Sequence, residues 1–255
     1  MTALEAALTI GVGLLAGILS GLFGVGGGTV MTPGLTALSG LAPIVAVATP
    51  LPVILPTAAV GAYTYRHADE VDLRAAAWIS IPGAVGAAVG AAATEVVNAR
   101  LLLLITSALI AWQAAGILRG RSRSEASVQR EIPVATLVVV GIGAGLLSGL
   151  LGIGGGLIIV PSLAGMLGMP LKRALGTSLV AVVVLVIPGT IVHAALGHID
   201  WTAALLLALG AIPGARIGAT IALGTQERRL RLMVGTFLAL VAVLYGVQQI
   251  LELAR

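Results

Sequence analysis

The chain contains no cysteine, only three histidines and very little charge. Aspartate, glutamate, lysine and arginine make up 9% of its 255 residues, against about 25% in a soluble domain. Without cysteine there are no disulfides and no thiolate metal sites. His67, His193 and His198 are too few for a usual metal cluster. Aromatic residues are 3% of the chain, which argues against a β-barrel with its alternating strands and interfacial aromatic girdles. The first lysine or arginine is Arg66, so the basic start of a secretory signal peptide is missing. What remains is 58% hydrophobic, and its Leu, Ala and Val blocks read as membrane helices.

Charge-free windows run from Glu5 to Arg66, Arg74 to Glu95, Arg100 to Arg119, Glu131 to Lys172, Arg173 to Asp200, and Arg231 to Glu252. A membrane helix needs about 20 apolar residues, and only helices or closed barrels satisfy their backbone in lipid. The shorter windows each fit one span; the first and the Glu131–Lys172 window are too long for one. The net charge of +4 does not point to nucleic acid, because the arginines lie in short loops between spans, as the positive-inside bias produces.

The chain is duplicated. Ser20–Pro33 (SGLFGVGGGTVMTP) laid over Ser148–Pro161 (SGLLGIGGGLIIVP) matches at eight of fourteen positions. The same shift places Thr49 on Thr177, Gly61 on Gly189 and Asp72 on Asp200. Three inserted residues later, Pro82-Gly83-Ala84 falls on Pro213-Gly214-Ala215. The expected division is a first membrane repeat over 1–118, a basic linker over 119–131 and a second repeat over 132–255. Each repeat opens with a long glycine-broken segment, about 5–39 and 132–168. Three ordinary spans follow in each: about 43–65, 74–94 and 100–118, then 173–196, 201–223 and 230–251.

Thirty-five residues make a straight helix of about 52 Å, against a hydrocarbon core of about 30 Å. The first segment is therefore one long broken span or a hairpin. If each crosses once, basic residues divide seven to six between the two sides. If each returns to the side it entered, the division is eleven to two. The positive-inside rule favours the hairpin. Each half then crosses an odd number of times, and the halves are inverted relative to each other, a plan common among transporters. The fold class expected is all-α integral membrane protein with two inverted repeats, each a re-entrant-like hairpin plus three spans. Both termini face outward and the linker is cytoplasmic.

After Gly26-Gly27-Gly28 and Gly154-Gly155-Gly156 the chain should restart as a helix, with Pro33 and Pro161 tolerated in the first turns. A helix N-terminus offers unpaired N–H groups and about half a positive charge. Two such termini meeting from inverted halves would bind an anion without a basic side chain. The candidate ligands are Gly26, Gly27, Gly28, Thr29, Thr49, Gly154, Gly155, Gly156, Thr177, Ser178 and Arg216. Ser20 and Ser148 precede the breaks. These hydroxyls either donate to an oxyanion or bond their own helix carbonyls. Arg216 either attracts an anion or snorkels to the surface. His193 is either a packed interface histidine or a titrating group. Gly13, Gly17 and Gly21, like Gly141, Gly145 and Gly149, read as helix-packing stripes. A nucleotide loop is not supported, because GVGGG lacks a preceding strand and a P-loop lysine. No acid falls inside a span, which argues against a carboxylate relay and against a cation substrate. No cofactor or catalytic grouping is indicated.

GLFGVGGGTVMTP, GLLGIGGGLIIVP, GTS at Gly176–Ser178 and PGARIGA at Pro213–Ala219 resemble the sulfite exporter TauE/SafE family of membrane permeases. The resemblance spans nearly the whole chain. It implies a plasma-membrane transporter of sulfur-containing anions such as sulfite, sulfonates or thiosulfate; charge and dipoles alone imply only an anion. The expected partners are a small anionic substrate and the bilayer. Pro50, Pro52, Pro56, Pro82, Pro188 and Pro213 are candidate kinks for alternating access. An anion channel and a non-transporting membrane scaffold remain as alternatives.

Overall fold

The computed structural model describes residues 3–39, 41–94, 111, 115 and 133–253. The expected span 100–118 and linker 119–131 lie outside the described residues, apart from the isolated positions 111 and 115. Among the described residues ten α-helices run in chain order. In the first half these are α1 (Ala3–Phe23), α2 (Gly28–Ser39), α3 (Pro43–Ala48), α4 (Pro50–His67) and α5 (Leu73–Ala92). The second half holds α6 (Val134–Leu151), α7 (Gly156–Pro161), α8 (Leu171–Ala195), α9 (Trp201–Gly224) and α10 (Glu227–Leu253). The described residues contain no strand. Six of the spans, with α3 and α4 counted as one over Ile44–His67, are long and apolar enough to cross a bilayer. Outward-facing Leu15, Ile81, Val139, Ile191 and Leu205 are exposed, as lipid-facing positions are.

Local chemistry sets the boundaries. Asp72 and Asp200 cap α5 and α9, each carboxylate accepting from the amide three residues on, Ala75 and Ala203, at 3.0 Å. That is the expected work of an N-cap aspartate. Lys172 Nζ donates to the Leu223 carbonyl at 2.6 Å, placing a cation at the negative end of α9. The first half departs from the second after Ala48. Pro50 starts a new helix there, whereas Ser178 sits at the equivalent place inside the unbroken α8. Proline has no N–H to continue the ladder. The second half departs at Pro161, after which Ser162–Met166 forms a π-helical turn.

Packing fixes the helix directions. Gly13, Gly17 and Gly21 face Leu207, Ala211 and Ala215 in turn, so α1 and α9 run parallel. Gly141, Gly145 and Gly149 face Ile79, Gly83 and Ala87, so α5 and α6 run parallel. A Cβ at any of these glycines would land on the opposing carbonyl. The two stripes are seams where backbones touch, as small residues permit in membranes. Between α4 and α8 the order reverses: Gly61 meets Leu179, Tyr65 meets Gly176, and the Asp72 amide reaches Thr177. After the break α2 runs back along α1, with Gly27 beside Ala16 and Gly34 beside Val12. The opening segment is therefore a hairpin. With α4 and α8 antiparallel, α1 and α6 point opposite ways. This ordering is consistent with inverted repeats.

Candidate functional site

The two breaks are built alike. Gly24, Gly26 and Gly27 adopt φ of 69°, 89° and 84°; Gly152, Gly154 and Gly155 adopt 65°, 87° and 74°. These left-handed values are accessible to glycine at little cost. They explain why glycine occupies the same three positions in both halves. The first left-handed glycine ends each helix, the Gly24 amide donating to Ser20 O at 2.8 Å and the Gly152 amide to Ser148 O at 2.9 Å.

The two loops converge. A Cβ at Gly28 would fall on the Gly152 carbonyl, and one at Gly156 on the Gly24 carbonyl. Between them stand Ile54 and Val182, equivalent residues of α4 and α8, each within 3.5 Å of the Cβ positions of Gly26 and Gly154. All of Ser20–Thr29 and Ser148–Leu157 except Leu150 is buried. The loops close on one another around this apolar pair. Beside Gly155 lies a cavity of about 10 Å³ lined by Leu147, Ile153, Leu157 and Ile158, about enough for a single water.

The freed backbone groups are treated unequally. Carbonyls receive side-chain donors. Tyr65 Oη donates to Gly21 O at 3.0 Å and Ser178 Oγ to Gly24 O at 2.9 Å. His193 Nε2 lies 3.2 Å from Gly149 O. A carbonyl only accepts, so Nε2 carries a proton, while Nδ1 stands 3.2 Å from His198 Nδ1. Tyr65 and His193 are equivalent residues doing the same work on equivalent carbonyls. The amides fare differently. Gly27 O and Gly155 O accept from residues 30–31 and 158–159. Among the described residues the N–H groups of Gly26, Gly27, Gly28 and Thr29, and of Gly154, Gly155, Gly156 and Leu157, make no backbone hydrogen bond. The junction thus brings unbonded N–H groups close to the carbonyls of Gly24, Gly152, Ala16 and Ala144.

The remaining residues expected at the site divide. Thr49 and Thr177 tie the halves together. Thr177 Oγ1 accepts from the Asp72 amide at 2.9 Å and Thr49 Oγ1 from the Asp200 amide at 3.1 Å. Beside the first of these, Arg173 stands 3.8 Å from Asp72. Ser178 serves Gly24 O. Arg216 is exposed and lines an open groove of about 830 Å³ with Ala59, Val60, Tyr63, Thr64, His67 and Thr220, between α4 and α9 and apart from the glycine junction. The Tyr65–His193 and Ile54–Val182 pairs were not singled out from the sequence. The signal available for both was the 128-residue shift, which sets one on the other.

Comparison with known proteins places the whole chain. The family model described as sulfite exporter TauE/SafE matches residues 9–245. A probable membrane transporter protein of Xylella fastidiosa is 31% identical, over 87% of both chains. The probable membrane transporter protein YunE of Bacillus subtilis is 30% identical over 94% of this chain and 95% of its own. The probable membrane transporter protein MJ0441 of Methanocaldococcus jannaschii is 27% identical over 92% and 93%. No solved structure matches. With its helices, its paired glycine breaks and these relatives, the chain is a multi-pass membrane protein belonging to the TauE/SafE sulfite exporter family, whose curated relatives are named as probable membrane transporters.

Proposed function

We propose that this protein is a plasma-membrane secondary transporter of small anions, with sulfur oxyanions and organosulfonates such as sulfite as its substrate class. It works by alternating access between two inverted halves. One observation carries the reading: two helix N-termini from equivalent loops meet between the halves, with eight buried amides that make no backbone hydrogen bond among the described residues. Such a junction favours negative charge through N–H donation and the helix dipoles. The family description supports the sulfur chemistry.

The anion takes the amides of Gly26, Gly27, Gly28 and Thr29 on one side and of Gly154, Gly155 and Gly156 on the other. Ser178 donates its O–H to Gly24 O, and Thr49 and Thr177 accept from the Asp200 and Asp72 amides, so these three hold the frame. Arg216 lies in the outer groove and is not assigned to the anion. The closed junction opens alternately to each side as the hairpins move against α4 and α8. The termini face outward and the 119–131 linker inward, the arrangement that gathers basic residues on the cytoplasmic side.

The test is flux into proteoliposomes holding the purified chain, with sulfite, a sulfonate, thiosulfate and sulfate, with and without a pH gradient. Saturable movement of at least one sulfur anion is expected. Currents that rise with voltage at channel rates would make the protein a channel. An absence of movement for every anion, in vesicles where the protein is intact, would leave a scaffold.

A further inference from the structure

Ser20 and Ser148 are equivalent residues in the last turns of α1 and α6, four positions before the first left-handed glycine. Both are fully buried, and both hydroxyls lack any hydrogen-bond partner. Thr32 of α2 shares this lack, but it has no hydroxyl at the equivalent position of the other half, and most helical hydroxyls differ. Thr9, Thr57, Thr64, Ser80, Thr190 and Thr220 each donate to the carbonyl four residues back. Ser20 and Ser148 forgo that bond, although Ala16 and Ala144 offer the same carbonyl. Ser20 Cβ stands 3.5 Å from the Cβ position of Gly27, so its side chain lies against the loop whose amides are free.

We infer that Ser20 and Ser148 are the two hydroxyl ligands of the transported oxyanion, one supplied by each half. The inference rests on the anion-permease reading above. An orphaned buried hydroxyl in apolar surroundings is unfavourable, and here it recurs at both copies of a duplicated site. Each half then offers a cluster of amides plus one O–H, with no charged group. Two hydroxyls on opposite halves suit a solute with several oxygens, each accepting from a different direction. A hydroxyl also accepts, so it can receive a hydrogen bond from the O–H of a monoprotonated oxyanion, which an amide N–H cannot. A halide, a single sphere with no proton to donate, gains less from the pair. The substrate class is a multi-oxygen anion, taken up with or without one proton.

Ser20→Ala, Ser148→Ala and the double variant test this by two readouts in the full-length protein. The first is thermal stability in detergent without substrate. Removing an unpartnered hydroxyl, so that –CH2OH becomes –CH3, leaves the melting temperature unchanged or raised. The second is proteoliposome transport of sulfite. Loss of one hydrogen bond to a charged ligand raises KM about tenfold per serine, with chloride inhibition constants changed less. Single variants that melt lower without substrate and keep the wild-type KM would overturn the inference, since the hydroxyls would then be structural. If wild-type protein transports sulfite and Gly28→Ala impairs it while both serine variants match wild type, this inference fails and the glycine-junction reading stands. If wild-type protein moves no anion, the permease reading fails, and this one with it.

Discussion

Gly28→Ala and Gly156→Ala bear most directly on the junction. Neither glycine has a positive φ, so alanine fits the backbone and the effect is one of space. At Gly28 the new methyl would overlap the Gly152 carbonyl and stand 3.0 Å from Ile153 Cα and 3.2 Å from Ile54 Cδ1. At Gly156 it would overlap the Gly24 carbonyl and stand 2.7 Å from Val25 Cα. Backbone atoms cannot swing aside as a flexible side chain does. Restoring ordinary contact separates the loops by about 1 Å, because close-packed interiors have no slack to absorb the methyl. A hydrogen bond to a charged group is worth about 1.5–3 kcal/mol. Pulling one cluster of amides out of reach therefore costs roughly ten- to a hundredfold in affinity. The assay is KM and maximal rate for sulfite in proteoliposomes, beside a thermal melt that shows the variant is folded. Gly11→Ala and Gly143→Ala are the controls. Both lie within helices where an added Cβ meets nothing within 4 Å, so they should leave transport unchanged and stabilise by about 0.5–1 kcal/mol. Folded Gly28→Ala and Gly156→Ala proteins with wild-type KM would refute the claim that these loops meet around the substrate.

Other expectations follow from the same contacts. Gly145→Ala drives a methyl onto the Gly83 carbonyl in the α5–α6 seam and should lower stability by about 1–3 kcal/mol, opposite in sign to Gly143→Ala two residues away; equal melts would disprove the packing register. His193→Tyr places at Gly149 O the donor that Tyr65 already supplies to Gly21 O, and should stay folded, whereas His193→Ala strands a buried carbonyl and should melt lower by about 1–3 kcal/mol. Arg216→Gln should leave sulfite KM unchanged, since Arg216 lines the outer groove; a rise of tenfold or more would bring it back to the anion. Because the chain has no native cysteine, single cysteines at positions 2 and 124 can be labelled from either side of sealed vesicles. Opposite labelling is expected of the hairpin arrangement, and same-side labelling would refute it.

Much of the fold was legible in sequence because its causes are local. Helix ends at Asp72, Asp200 and the triple glycines follow from capping and from backbone angles that glycine adopts at least cost. The hairpin could be reasoned from where arginine and lysine fall, since a bilayer sorts them by side. The glycine stripes at 13, 17, 21 and 141, 145, 149 carry a four-residue spacing that only a packed helix face needs. The boundary after Ala48 was foreshadowed by Pro50, a residue without a donor.

Which hydroxyl faces what was decided by tertiary structure alone. Ser20, Thr49, Ser148, Thr177 and Ser178 look equivalent in the sequence, as small polar residues beside or after a break. Their partners lie up to 154 residues away, set by how antiparallel α4 and α8 bring the opposite half to each of them. The fold spends the two threonines on aspartate amides and Ser178 on a carbonyl, leaving Ser20 and Ser148 free. It likewise turns Arg216 outward, because the face of α9 bearing Gly210, Gly214 and Gly218 is taken by α1. Composition and periodicity determine that a chain enters the membrane and where it bends; a partner contributed by the other half of the chain is a long-range fact that no local pattern encodes.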